Sequence, residues 1–158
     1  MMYITAAAEE DLPRILEIER EAISPPWTEG ALLSEVYRTD SLFAVCQGDG
    51  SPDTPPTSTL GFVILRLAGD EGELFQIAVD KAARRQGVAD LLMDAAFNYA
   101  SENALASVYL EVRKNNEAAI SLYEKHGFVA VRRRRDYYSD PIEDAVVMLK
   151  NFENTEVL

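Results

Sequence analysis

Glu73-Leu74-Phe75-Gln76-Ile77-Ala78-Val79 reads as a strand, Asp80-Lys81-Ala82-Ala83-Arg84-Arg85-Gln86 as a polar loop, and Gly87-Val88-Ala89 as the opening of a long helix. In that helix Val88, Leu91, Leu92, Ala95, Ala96 and Tyr99 fall on one apolar face. The amide groups of a helix start point outward, and the helix dipole favours an anion in front of them. Gly87 permits close approach to the backbone, Ala89 keeps the next position small, and Arg84 and Arg85 add positive charge at the rim. A strand–turn–helix with solvated arginines is the plainer alternative. No Gly-Lys-Ser/Thr follows, so this is not a Walker loop, and the three-glycine dinucleotide pattern is absent.

Working outward, Tyr3-Ile4-Thr5 is a short strand, and Glu9 to Ala22 has a helical period with Leu12, Ile15, Leu16, Ile18 and Glu19 on one side. Pro13 fits a first helical turn, Ser24-Pro25-Pro26-Trp27 ends the helix, and Thr28 can cap another from Glu29 to Tyr37. Ser41–Gln47 and Leu60–Leu67 read as strands joined by a flexible loop over 48–58. Ser107–Val112 is a strand, Asn116–Lys125 a helix stopped at Gly127, and Phe128–Arg135 and Ala145–Leu149 are further strands. Hairpins followed by strand–helix–strand units predict an α/β sheet with antiparallel and parallel pairs.

The chain has 158 residues, 47% hydrophobic and 27% charged, which suits one globular domain over 1–150 with a flexible tail over 151–158. Its net charge of −12 argues against general nucleic-acid binding and suits a basic partner. A single cysteine, Cys46, and a single histidine, His126, exclude a disulfide framework and a Cys/His zinc site, so no metal is expected. Cys46 reads as a small core residue and His126 as a helix-end residue. Without a signal or an apolar run of ~20 residues, a cytoplasmic location and no membrane partner are expected.

Arg84-Arg85-Gln86-Gly87-Val88-Ala89 resembles the R/Q-x-x-G-x-G/A signature with which GNAT acyltransferases hold the acetyl-CoA pyrophosphate. The resemblance continues through Leu74–Val79 before it, and through Tyr109-Leu110-Glu111-Val112-Arg113, Asn115-Asn116 and Ala119–Phe128 after it. Pro26-Trp27-Thr28, Leu110-Glu111-Val112-Arg113, Arg134, Tyr137-Tyr138, Glu143-Asp144-Ala145 and Met148 are similar to the branch acting on ribosomal-protein N-terminal alanine. Gln76 stands where that branch has asparagine, and Lys81 where it has proline. The resemblance implies a mixed, mostly antiparallel central sheet with splayed central strands, flanked by about four helices. It also implies acetyl-CoA as co-substrate and the basic N-terminus of a small-subunit ribosomal protein as partner. Coenzyme contacts would fall on Ile77, Ala78, Val79, Arg84, Arg85, Gln86, Gly87, Val88, Ala89, Asp90 and Asn116.

Acetyl transfer to an amine requires a neutral amine, a held oxyanion and a departing thiolate. At pH 7 roughly a tenth of α-amines are neutral, against only ~0.04% of lysines, so an α-amine needs a modest base. Glu111 is the expected base. It lies within an apolar strand, with Tyr109 on one face, opposite Val108, Leu110 and Val112. A salt bridge to Arg113 or another cation is the structural alternative. Tyr123 reads as core from its helix; the resemblance makes it the general acid, and makes the Val79 amide the oxyanion donor. Asn116 is equally well read as a helix cap or as the pantetheine contact the resemblance implies, and Asn115 could share either role. The Arg132–Arg135 run reads as alternating strand surface, and Trp27 and Tyr138 read equally as core or as acceptor contacts. Direct transfer without an acyl-enzyme is expected, since no activated nucleophile pair is evident. A GNAT enzyme for a small amine or a lysine, and a non-catalytic acyl-CoA sensor, are the alternatives.

Overall fold

The computed structural model describes residues 1–48 and 58–152. Residues 49–57 of the expected loop and 153–158 of the expected tail lie outside the described residues. Met2–Ala6 forms β1. A tight 3-10 turn over Glu9–Asp11 leads into α1, Leu12–Ala22, one turn later than the sequence pattern suggested. The reason is Pro13: an α-helix begun at Glu9 would need its missing N–H to reach the Glu9 carbonyl. The buried face of α1 is Leu12, Ile15, Leu16, Ile18 and Glu19, as the helical period indicated.

Thr28 caps α2, Glu29–Val36, its Oγ1 accepting the Ala31 N–H at 3.1 Å. The strands Ser41–Gly48 (β2), Ser58–Ala68 (β3) and Glu71–Val79 (β4) follow, then α3 over Val88–Glu102. Ser107–Arg113 is β5, Glu117–Lys125 is α4, and Val129–Tyr138 and Glu143–Asn151 are β6 and β7. Among the described residues this gives seven strands and four helices in sheet order β1-β2-β3-β4-β5-β7-β6. The β4–β5 pair is parallel; β1–β2, β2–β3, β5–β7 and β6–β7 are antiparallel. The mixed, mostly antiparallel sheet expected from the sequence is therefore present.

The chain divides into two compact units, Met1–Arg66 with Gln76–Tyr99, and Leu67–Phe75 with Ala100–Leu158. In the first unit Ile15, Ile18, Leu32, Phe62, Ile64, Leu65, Leu92 and Met93 are fully buried, and Phe43 meets Phe62 edge-on. Met93 and Ala100 are buried although the expected stripe on α3 omitted them, whereas Leu91, Ala95 and Tyr99 are only half-buried. Cys46 is completely enclosed, and burial pushes its thiol pKa up. Glu35, buried on α2, is held by Arg66 of β3, whose Nη2 donates to Oε1 at 2.6 Å and whose Nε contacts both oxygens. In the second unit Leu110, Phe128, Ala145 and Met148 form the centre.

Gly61 of β3 shows why a side chain is missing there. A Cβ would lie 2.7 Å from the Ala78 carbonyl oxygen of β4 and 3.1 Å from Leu92 and Val88 of α3. That carbonyl belongs to a strand and cannot swing aside, so added volume must displace the backbone. Gly61→Ala is expected to lower unfolding stability by about 1–3 kcal/mol, measured by denaturant titration; an unchanged midpoint would contradict this packing.

Candidate functional site

In the first unit, β4 ends where the Asp80 N–H donates to the Leu60 carbonyl at 2.8 Å. Arg85 and Gly87 then both adopt the left-handed region, with φ 67° and 89°. Left-handed residues in a turn let neighbouring amides point toward one side, the feature from which anion-binding concavities are built. The helical ladder of α3 begins with the Leu91 N–H donating to the Gly87 carbonyl at 3.1 Å. The amides of Gly87, Val88 and Ala89 therefore precede the first helical bond. Among the described residues nothing lies within 4 Å of a Cβ placed on Gly87, so on that side the approach to its backbone is open. Arg84 is exposed and 3.7 Å from Glu21, a loose surface pair, and the Gln86 amide donates to the Ala82 carbonyl at 3.4 Å. Asp90 sits in the first turn of α3.

Along β4 the burial alternates strictly. Gly72, Leu74, Gln76 and Ala78 are buried, while Glu73, Phe75, Ile77 and Val79 are half-exposed on the opposite face. The parallel ladder to β5 holds three pairs, Glu71–Ser107, Gly72–Val108 and Glu73–Tyr109, and β4 runs on to Val79 beyond the last. On the buried face the Gln76 Nε2 donates to Glu19 Oε2 at 3.1 Å, and the Trp27 N–H donates to the same oxygen at 2.8 Å. Trp27 is half-buried, with the Arg66 guanidinium 5.8 Å from its ring centre.

In the second unit, β5 buries Val108, Leu110 and Val112 and turns Tyr109, Glu111 and Arg113 to the other face, the alternation read from the sequence. Glu111 lies 2.7 Å from Arg134 Nε of β6 and accepts a hydrogen bond from the Tyr137 phenol. The cation beside Glu111 is thus Arg134, not Arg113. Arg113 is taken by Glu143 at 3.2 Å, donates to the Ser139 and Pro141 carbonyls, and lies 4.4 Å from the Tyr138 ring centre. It clamps the turn between β6 and β7. The Tyr109 phenol donates to Glu73 at 3.0 Å and is pushed up to about 12, by burial first and by the neighbouring carboxylates after it.

Tyr123 of α4 is half-buried and meets Phe128 edge-on at 5.8 Å. Burial, with a smaller contribution from Tyr138, pushes its phenol up to about 12. Tyr138 is likewise raised to about 12, by burial and then by the charge of Glu111. Tyr138 is therefore electrostatically coupled to both expected catalytic groups. Asn116 caps α4, its Oδ1 accepting the Ala119 N–H at 3.1 Å, which is the structural reading of that residue. His126 ends α4, where its carbonyl accepts from Lys150 at 2.7 Å. In the Arg132–Arg135 run, Arg133 pairs with Asp144 at 3.0 Å and Arg134 with Glu111. Sequence reasoning overlooked Glu73, Glu35 and the Glu19–Gln76 contact; for Glu19, an acid on the apolar side of a helical period was the available signal.

Among the described residues no group of three or more His, Cys, Asp or Glu side chains is arranged to hold a metal ion. Nor is any helix among them long and apolar enough to cross a membrane.

Residues 10–128 match the acetyltransferase (GNAT) family model. The chain is 34% identical over 150 residues to the [ribosomal protein bS18]-alanine N-acetyltransferase of Escherichia coli K12, covering 94% of this chain and 96% of that protein. The crystal structure of the ribosomal-protein-S18-alanine N-acetyltransferase from Escherichia coli superposes with a TM-score of 0.83 at 32% identity, covering 99% of this chain and 97% of that one. Ard1 from Thermoplasma volcanium gives 0.84 at 28% identity, covering 97% and 99%. With its turn, strand alternation and family match in agreement, the chain belongs to the GNAT family and is an N-acetyltransferase.

Proposed function

We propose that this protein transfers the acetyl group of acetyl-CoA to the N-terminal alanine amine of a small-subunit ribosomal protein. The observation that carries the coenzyme half is the turn before α3, where left-handed Arg85 and Gly87 precede the opening amides of a 15-residue helix. In this reading the Gly87, Val88, Ala89 and Asp90 backbone and the Arg84, Arg85 and Gln86 rim receive the pyrophosphate. The β4 segment Ile77-Ala78-Val79 runs beside the pantetheine arm, joined by Asn116. The acceptor half draws on the relatives named for bS18 alanine, and on a net charge of −12 that suits a basic tail. Trp27 and Tyr138 are the proposed tail contacts. A chain acting on ribosomal proteins would work in the cytoplasm.

The proposed reaction is a direct attack. The amine nitrogen adds to the thioester carbon, the Val79 N–H stabilises the oxyanion, and the carbon–sulfur bond breaks. Glu111 takes the proton that the amine loses. Its side chain is only 17% exposed, so it is partly desolvated while Arg134 and Tyr137 fix its orientation. The Tyr123 phenol, at about 12, stays protonated throughout the neutral range and donates to the departing sulfur. A free thiol, with a pKa of ~8.5, is the stronger acid, so the phenol acts by holding the departing thiolate with a hydrogen bond as the carbon–sulfur bond breaks, and coenzyme A leaves as the thiolate.

Glu111 could equally be a structural partner of Arg134, and kinetics separate the two roles. Glu111→Gln is expected to lower kcat about 100-fold or more while acetyl-CoA affinity stays within about twofold; parallel loss of coenzyme binding and thermal stability would mark a structural ion pair. Tyr123→Phe should also lower kcat with affinity retained, and unchanged turnover would remove it from the reaction. Labelled acetyl-CoA should modify a peptide bearing the ribosomal protein's N-terminal alanine but not the same peptide N-terminally blocked. Modification of the blocked peptide would point to a lysine acceptor. In a tyrosinate absorbance titration of the folded protein, the Tyr123 step should appear only near 12, as wild type minus Tyr123→Phe. The raised phenol contributes stability below its unfolded value of ~10 that is lost as pH climbs toward its folded value.

A further inference from the structure

Glu19 is completely buried on α1 and Gln76 nearly so on β4. Glu19 Oε2 is satisfied twice, by the Trp27 and Gln76 N–H groups. Among the described residues, two buried oxygens of the same pair, Glu19 Oε1 and Gln76 Oε1, have no hydrogen-bond partner. Two acceptors repel each other, but one proton placed on the acid turns them into a donor and an acceptor. A carboxylic acid and a primary amide then close a two-bond ring. Its other half, amide N–H to acid oxygen, is already present.

We propose that Glu19 is a positioning residue held as the neutral acid, its Oε1–H donating to Gln76 Oε1, so that the Pro26-Trp27-Thr28 segment is locked onto β4 directly ahead of Ile77–Val79. An ionised Glu19 would instead be a fully buried charge held by two neutral donors, with two oxygens unsatisfied. Burial pushes the Glu19 carboxyl up, against the opposing pull of the Trp27 and Gln76 N–H groups. The charged groups on neighbouring elements are engaged elsewhere: Glu35 of α2 with Arg66 of β3, Arg14 of α1 with Asp80 after β4, and Glu21 of α1 with Lys81 and Arg84. The consequence for catalysis rests on the reading above that Trp27 meets the acceptor.

Glu19→Gln is the isostere of the neutral acid: its amide donates where the O–H would, and its oxygen accepts from Trp27 and Gln76. The acid keeps in the fold a proton that the unfolded chain releases above ~4.3, so its stabilisation is full at low pH and fades as pH rises through the folded value. Thermal unfolding across pH should therefore show wild type losing stability relative to Glu19→Gln as pH rises above ~4.3. The infrared spectrum at about pH 6 should show a protonated-carboxyl band that is lost in Glu19→Gln. Parallel pH profiles with no such band would overturn the neutral acid.

In turnover, Glu19→Ala should raise the acceptor-peptide KM about tenfold with the acetyl-CoA KM within about twofold, and Glu19→Gln should restore wild-type values. If Glu19→Ala does not fold, Gln76→Met removes the other half of the acid–amide ring and should give the same split. A Glu19→Gln enzyme as impaired as these would overturn the positioning role. A wild type that acetylates no α-amine would refute the proposed function, while the stability and infrared measurements would still decide the protonation of Glu19.

Discussion

The structure depends on how β4 satisfies its own backbone. Its parallel ladder with β5 ends at Glu73–Tyr109, yet the strand continues through Val79. A buried amide or carbonyl released from a ladder must find water, a side chain or a ligand. On the buried side the strand is fixed tightly: Gly61 gives up its side chain to the Ala78 carbonyl, and Gln76 reaches Glu19. At its end, Asp80 returns to Leu60 and the chain enters the left-handed turn before α3. A strand held so firmly on one face offers groups of the other at defined positions, as the proposed coenzyme site would require.

Much of this was readable from period and spacing. The apolar side of α1 was legible down to Glu19, because five positions at helical spacing define a face whatever their chemistry. The same holds for β5, where Glu111 alternates with Leu110 and Val112. Gly87 was marked by its place between strand and helix, and it takes the left-handed conformation that such a turn needs. The partner of Glu111 was not legible. Four consecutive arginines carry no alternation, and register shifts on both sides of Arg132–Arg134 hide which one points toward β5. Arg66, 31 residues from Glu35, illustrates the same limit: a pair formed across the fold leaves no mark in local sequence. The late start of α1 was decided by one missing N–H at Pro13.

Two acids on neighbouring helices are buried by different means. Glu35 meets a guanidinium through a forked contact, the arrangement in which charge and hydrogen bonds are matched together. Among the described residues Glu19 is hydrogen-bonded by two amides, those of Trp27 and Gln76. Removing Arg66 would strand a charge, whereas the surroundings of Glu19 favour a group without one. Each contact joins a helix to a central strand, so both acids fix helix placement as well as filling space.

The enclosure of Cys46 has a practical consequence. It is the chain's sole sulfhydryl, with zero solvent exposure and a suppressed tendency to ionise. Aromatic disulfide reagents, which consume thiolate, should therefore meet a silent protein background while it stays folded. Colour developing in such a mixture would track liberated coenzyme, making continuous optical monitoring feasible without mutating the enzyme.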